Sequence, residues 1–322
     1  MIGFACKINS SHDVADPKLN IKSTTLTWLR NQTKQVATKK LEDLLKYNLV
    51  ALHNQVTWVA KLPEQQRMFR ISSDLLPAYT TPDFMPFYFS NEVQEFLETN
   101  LAKIGELARS KNVRLSFHPG QFCVLASENP GVVENSVQEF EYHGDIIRYL
   151  GYGKSFQDFK CNVHIGGKLG PQGIKTAVKH YLSPEARNCL TIENAEFSWG
   201  LDASLELVNT CALVLDIHHH WIKDNEWILA TDPRITQIKD SWRGVKPVIH
   251  YSQSRELEST DFQGLVPATE TNLSKTKLRA HSDYYYNEAI NSYAKQHLEW
   301  ADIMLEAKQK NLAQAKLASK WL

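Results

Sequence analysis

"CALVLDIHHHWI", residues 211–222, begins as an apolar run and ends in Asp216, with His218, His219 and His220 close behind. A short continuous apolar run of this kind reads as a strand buried on both faces, as in a parallel sheet. A carboxylate and three imidazoles at its end then sit on the rim of that sheet. The same grammar recurs along the chain, at "IGFACK" (2–7), "MFRIS" (68–72), "VRLSFH" (113–118), "CNVHIG" (161–166), "CLTIEN" (189–194), "PVIHYS" (247–252) and "DIMLEA" (302–307). Longer segments with apolar residues three and four apart lie between them, such as 39–62, 91–112 and 132–151. Strands alternating with helices imply a parallel sheet covered on both faces. Eight such units predict one (β/α)₈ TIM barrel over residues 1–322.

The rest of the chain fits an ordinary globular protein. It is 43% hydrophobic and 22% charged, with 36 basic and 36 acidic residues. That balance argues against a broadly sticky nucleic-acid binder, though a local basic groove stays compatible with it. The five cysteines form no CxxC pair, and four of them (Cys6, Cys161, Cys189 and Cys211) lie in or beside apolar runs. A reducing, intracellular setting is expected, cytoplasmic or nucleoid-associated in a bacterium and nuclear in a eukaryote. No apolar stretch has the length of a signal peptide or a membrane span, so a soluble protein is expected, and a monomer is assumed. The long irregular insertion at 253–281 marks a functional or mobile loop. The lysine-rich tail reads as a helix with a solvated basic face in preference to a DNA contact.

The strand ends carry the chemistry. In a barrel of this kind the active site lies at the C-terminal ends of the strands. There the sequence offers His118, His164, Glu193 with Asn194, Asp216 with its histidines, His250 and Glu306, and the insertion adds His281. Singly, such a histidine is more often a hydrogen-bonded structural residue, and such a carboxylate a helix cap or surface group. Independent structural causes would not gather them all on one rim. Imidazole and carboxylate together suit divalent transition metals. There are more candidates than one tetrahedral ion needs, so two or three ions are expected, with Glu193 as the bridge. Clustered divalent ions suit in-line attack at phosphorus. A two-metal sugar isomerase is the competing chemistry.

The blocks "GFAC", "LSFHPGQF" (115–122), "VHIGG" (163–167), "LTIENAE" (190–196), "LDIHHH" (215–220), "IHYSQ" (249–253) and "ADIMLEAK" (301–308) resemble the UV damage endonuclease family, in order and over nearly the whole chain. Endonuclease IV is a more distant relative. The resemblance implies a DNA repair endonuclease that cuts the backbone of damaged double-stranded DNA immediately 5′ to a pyrimidine dimer, a 6-4 photoproduct or an abasic site. It implies metal ligation by His118, His164, Glu193, Asp216, His219, His250, His281 and Glu306, with Glu193, Asp216 and Glu306 catalytic. The expected ion is Mn²⁺, with Zn²⁺ or Mg²⁺ as alternatives. Gln121 and Phe122 are expected to probe the lesion, the ring filling the gap left by extruded nucleotides. Phe4 and Asn9 are expected to contact DNA as well, Phe4 standing where the family commonly has tyrosine.

An extended strand six would put Asp216, His218 and His220 on one face, whereas the resemblance selects His219. The two agree if the chain leaves the strand at about Asp216. Two positions depart from the pattern: Thr81 stands where relatives carry a histidine ligand, and Val248 where some carry a modified lysine. Altered metal occupancy or rate is the expected consequence. An apurinic endonuclease of the endonuclease IV type and a damage-binding module without catalysis are the other readings.

Overall fold

The structure, a computed structural model, describes residues 1–258 and 264–322. Its sheet is made of β1 (Ile2–Ala5), β2 (Met68–Arg70), β3 (Arg114–Phe117), β4 (Lys160–His164), β5 (Leu190–Glu193), β6 (Ala212–Val214), β7 (Val248–Tyr251) and β8 (Asp302–Leu305). From β1 to β6 each strand pairs in parallel with the next, β7 pairs with β8, and β8 pairs with β1. The ring closes between β6 and β7 through a parallel bridge of Asp216 with His250, where the His250 amide donates to the Leu215 carbonyl at 2.9 Å. The chain is a (β/α)₈ TIM barrel, and its seam is stitched at two of the candidate ligands.

The main outer helices are α1 (Lys34–Val59), α2 (Asn91–Ser110), α3 (Pro130–Tyr149), α4 (Gly170–His180), α5 (Ile217–Asp224), α6 (Pro233–Ser241), α7 (Glu288–Gln296) and α8 (Lys310–Trp321). Their starts follow from capping chemistry. Thr33 accepts from the Val36 amide, and Asn129 accepts from the amides of Gly131 and Val132 with Pro130 in the first turn. The lysine-rich tail is α8, and its inner face buries Ala313, Leu317 and Trp321. Gln314 on the same face donates to the Ile2 carbonyl, so the tail seals the barrel beside β1. The insertion after β7 holds two short 3₁₀ turns, at 255–258 and 268–271, and a short helix at 275–278; residues 259–263 lie outside the described residues. Among the described residues, no helix is long and apolar enough to cross a membrane.

Strand alternation decides what faces inward. On β3 the residues Arg114, Ser116 and then His118 alternate with Leu115 and Phe117; on β4 Lys160, Asn162 and His164 alternate with Cys161 and Val163. On β5 Thr191 and Glu193 alternate with Leu190 and Ile192. The apolar set packs under the helices, and the polar set meets inside. Thr191 donates to Asn162 at 2.8 Å, Asn162 donates to Glu193, and Arg114 pairs with Asp302 at 2.6 Å.

The outer layer is packed closely at the crossing of α2 with the end of α3. A Cβ placed on Gly105 would lie 1.8 Å from the Leu150 carbonyl oxygen, a backbone atom that cannot step aside. Gly105→Ala is therefore expected to cost about 3 kcal/mol of stability, read as a lowered thermal midpoint. Gly120→Ala, whose Cβ meets nothing within 4 Å, is the control and should melt like the parent protein.

Candidate metal centre

Glu193, at the end of β5, has no exposed surface and stands at the middle of the barrel mouth. His118 approaches its Oε2 with Nε2 at 3.2 Å, and His250 approaches its Oε1 with Nδ1 at 3.2 Å. His219 brings Nδ1 to 3.4 Å from the same Oε1. Neither Glu193 Oε1 nor His250 Nδ1 makes a hydrogen bond, and Asp216 Oδ2 is likewise buried without a partner. Buried polar atoms are ordinarily satisfied. Two donors bound to one ion at about 2.1 Å and a tetrahedral angle lie roughly 3.4 Å apart. The approach of His250 Nδ1 to Glu193 Oε1, unbonded at both ends, has about that spacing, so the residues present fit divalent ions.

Four groups bring donor atoms within 4.8 Å of one another: His118–His164–Glu193, Glu193–Asp216–His219, Asp216–His250–Glu306 and His164–Glu196–His219. Seven of the eight expected ligands are in them. The eighth, His281, is in none; it bridges to Ser254 and sets its ring edge-on to His218 at 5.6 Å. The histidine triplet is resolved by the end of the strand. Asp216 caps α5, accepting from the His219 amide at 2.7 Å, and the helical turn swings His219 over the rim. His218 instead stacks on Trp221, while His220 is engaged by Asp224 at 2.8 Å and Glu226 at 3.0 Å.

The electrostatics are those of anions crowded in a buried site. Burial pushes the Asp216 carboxyl well above the usual carboxylate range, Glu193 and Glu306 adding to the push and His219 opposing it. Burial would raise Glu306 too, but the Arg70 guanidinium bonded to it holds it well below that range. Burial pushes the His164 and His250 imidazoles down to about 4, leaving them neutral and able to ligate. For His219 burial acts downward, but Asp216, Glu193 and Glu196 outweigh it and raise the imidazole to about 9.

Several participants escape a reading confined to strand ends. Lys160 lies deep on β4 and places Nζ 2.8 Å from His250 Nε2; burial pushes its ammonium down to about 7. Asn162, Arg70 and Glu196 are the others. The alternation within β4 was the available signal for Lys160 and Asn162. Of the expected DNA contacts, Gln121 and Phe122 are exposed in the turn after β3, Phe122 by 85%. Phe4 and Asn9 require correction. The Phe4 ring is fully buried, edge-on to Trp58 and against Phe69, because its strand is covered on both faces. Asn9 is spent on α8: its amide donates to Asn311, its carbonyl accepts from Asn311, and its side chain donates to Gln309. Thr81 lies in the loop before a short helix, Met85–Tyr88, and Val248 is buried on β7.

The family described as UV-endonuclease UvdE matches residues 1–321. The UV-damage endonuclease of Schizosaccharomyces pombe (strain 972 / ATCC 24843) is 27% identical over 338 residues, which cover 99% of this chain and 50% of that protein. This chain thus spans half the length of the yeast relative. The UV DNA damage endonuclease of Bacillus cereus (strain B4264) is 27% identical over 306 residues, covering 91% of this chain and 86% of that one. In fold, the chain is similar to the crystal structure of SacUVDE, with a TM-score of 0.76 at 22% identity over 99% of this chain and 96% of the other. It is similar also to endonuclease IV from Thermus thermophilus, with a TM-score of 0.54 at 16% identity over 84% and 92%.

An ion that takes His219 as ligand must displace its proton, since the imidazole is raised to about 9. Mn²⁺ affinity at that position should fall about tenfold for each unit of pH below 9, with one proton released per ion bound. Calorimetric titrations in buffers of different ionisation enthalpy measure both quantities. An affinity that does not change with pH would remove His219 from the ligand set.

Proposed function

The chain belongs to the UV-endonuclease UvdE family, and on that premise we propose that it is a metal-dependent DNA repair endonuclease. Its proposed reaction is hydrolysis of the phosphodiester bond immediately 5′ to pyrimidine dimers, 6-4 photoproducts and abasic sites in double-stranded DNA, leaving 3′-hydroxyl and 5′-phosphate ends. One observation carries the reading. Three buried carboxylates, Glu193, Asp216 and Glu306, converge with histidines on a site that leaves donor atoms unbonded, at the mouth of a barrel whose rim exposes Phe122.

The ions would be held by His118, His164, Glu193, Asp216, His219, His250 and Glu306, with Mn²⁺ proposed on the family resemblance and compatible with this mixed nitrogen and carboxylate set. Bound there, divalent cations supply Lewis acidity for phosphoryl oxygens and lower the pKa of a water molecule. The protein's own groups organise the rest. Asn162 grips Glu193 Oε2 from below, which fixes the carboxylate plane. Arg70 does the same for Glu306. Pro119's carbonyl lies 3.0 Å from His118 Nδ1, so that nitrogen keeps the proton and Nε2 is left free toward Glu193. Phe122 offers a flat apolar face that can stack on a base and take the place of an extruded nucleotide, with the Gln121 amide beside it for polar base edges. An aromatic standing out on the rim suits a duplex better than a small sugar, which disfavours the isomerase reading.

UV-irradiated supercoiled plasmid tests the proposal directly. Nicking is expected with Mn²⁺ and none with EDTA, and an abasic plasmid alongside separates photoproducts from abasic sites. Cleavage of neither substrate would overturn the endonuclease reading. Glu193→Gln should lower nicking by roughly a thousandfold while DNA binding persists; full activity would sink its central role. Phe122→Ala should cost about 1–3 kcal/mol of affinity for damaged duplex and little for undamaged duplex. Equal losses on both would contradict a lesion probe.

A further inference from the structure

His219 has its two ring nitrogens committed in different directions. Nδ1 lies 3.0 Å from the backbone carbonyl oxygen of Asn194, which can only accept, so Nδ1 holds its proton and Nε2 is the nitrogen that gives up its proton to take an ion. This is the arrangement by which ligating histidines are oriented: one nitrogen donates to a carbonyl, the other binds the ion. Glu193 and Asp216 approach Nδ1, at 3.4 and 3.9 Å, and so do not lie on the ligating side. The carboxylate that faces Nε2 is Glu196, with Oε2 at 3.8 Å. Two atoms each about 2.1 Å from one ion are separated by at most about 4.2 Å, so a shared ion fits. His164 supplies the third donor, its ring 5.3 Å from that of His219 and all donor atoms within 4.8 Å.

We propose that Glu196 is a metal ligand, which with His164 and His219 forms an ion position distinct from the one built by Asp216, His250 and Glu306. The inference rests on the metal-dependent reading of this site. The end of β5 and the segment that follows it thereby contribute to two ion positions, Glu193 at the centre and Glu196 on the rim. The rival role for Glu196 is pairing with Arg279, whose Nη1 is 3.9 Å from Oε1. Arg279 already has a resting place, its guanidinium 5.5 Å from the centre of the Phe197 ring, and its contact uses the other carboxylate oxygen. Oε2 is left for the ion.

Metal content counts the positions without reference to nicking. The protein is equilibrated with Mn²⁺, desalted and analysed by inductively coupled plasma mass spectrometry, with Mn²⁺ electron paramagnetic resonance on the same samples. Glu196→Gln is expected to hold one ion fewer per chain than the parent, and Arg279→Gln the full number. Glu196→Asp keeps the charge but draws it back by one methylene, and should weaken that ion's affinity at least tenfold. Parental metal content in Glu196→Gln overturns the inference, and so does loss of the same ion in Arg279→Gln. A parent protein that binds no Mn²⁺ overturns the metal-dependent reading along with it, whereas a parent that binds Mn²⁺ and does not nick DNA leaves the ligand assignment standing.

Discussion

Three carboxylates buried in one barrel mouth set the terms for everything around them. Glu193 and Asp216 have no exposed surface, and Glu306 has little. Carboxylates removed from water are tolerated only beside compensating charge and hydrogen-bond donors. The barrel supplies part of this itself: Arg70 on Glu306, Asn162 on Glu193, the His219 amide on Asp216, and Lys160 behind His250. These leave Glu193 Oε1 and Asp216 Oδ2 without partners. The residual anionic charge is concentrated beside the histidine nitrogens, and divalent cations would answer it.

The same constraint explains the closure of the barrel. The β6–β7 seam is the weakest part of the ring, held by a bridge between Asp216 and His250. A site spread over separate strands would lose its spacing if that seam opened. Placing two candidate ligands on the bridge couples closure of the fold to the geometry of the centre, because an ion shared by Asp216, His250 and Glu306 would tie β6, β7 and β8 together. Asp216 does a further job as the cap of α5. One side chain thus ends a strand, starts a helix and aims His219.

The barrel was legible because its strands are buried on both faces and read as apolar runs, each with a polar end. Seven of the eight strands lie within the stretches the sequence marks, and β4 begins one residue earlier, at Lys160. The rim was legible for the same reason. Lys160 and Asn162 were not, because they lie below the rim, where a polar residue inside an apolar run is easily passed over; only the alternation along β4 exposes them. Phe4 and Asn9 show the converse error, in which likeness of position stands in for exposure. The Phe4 ring, held between Trp58 of α1 and Phe69 of β2, packs as core. His219 could be chosen over His218 only once the chain was allowed to turn into a helix at Asp216, which is a matter of capping and not of strand period.

Val248 sharpens the point about charge. It is buried on the strand that carries His250, two residues away, so β7 itself brings no cation to the centre from that position. The cation that touches His250 comes instead from β4, through Lys160 at 2.8 Å from Nε2. That contact occupies the nitrogen away from the carboxylates and turns Nδ1 toward Glu193 and Glu306, at 3.2 and 3.4 Å. A charge entering from β4 therefore acts on the centre by orienting a ligand, whereas one at Val248 would enter from the ligand's own strand. With Val248 apolar, the side chain that supports His250 comes from β4 and not from its own strand.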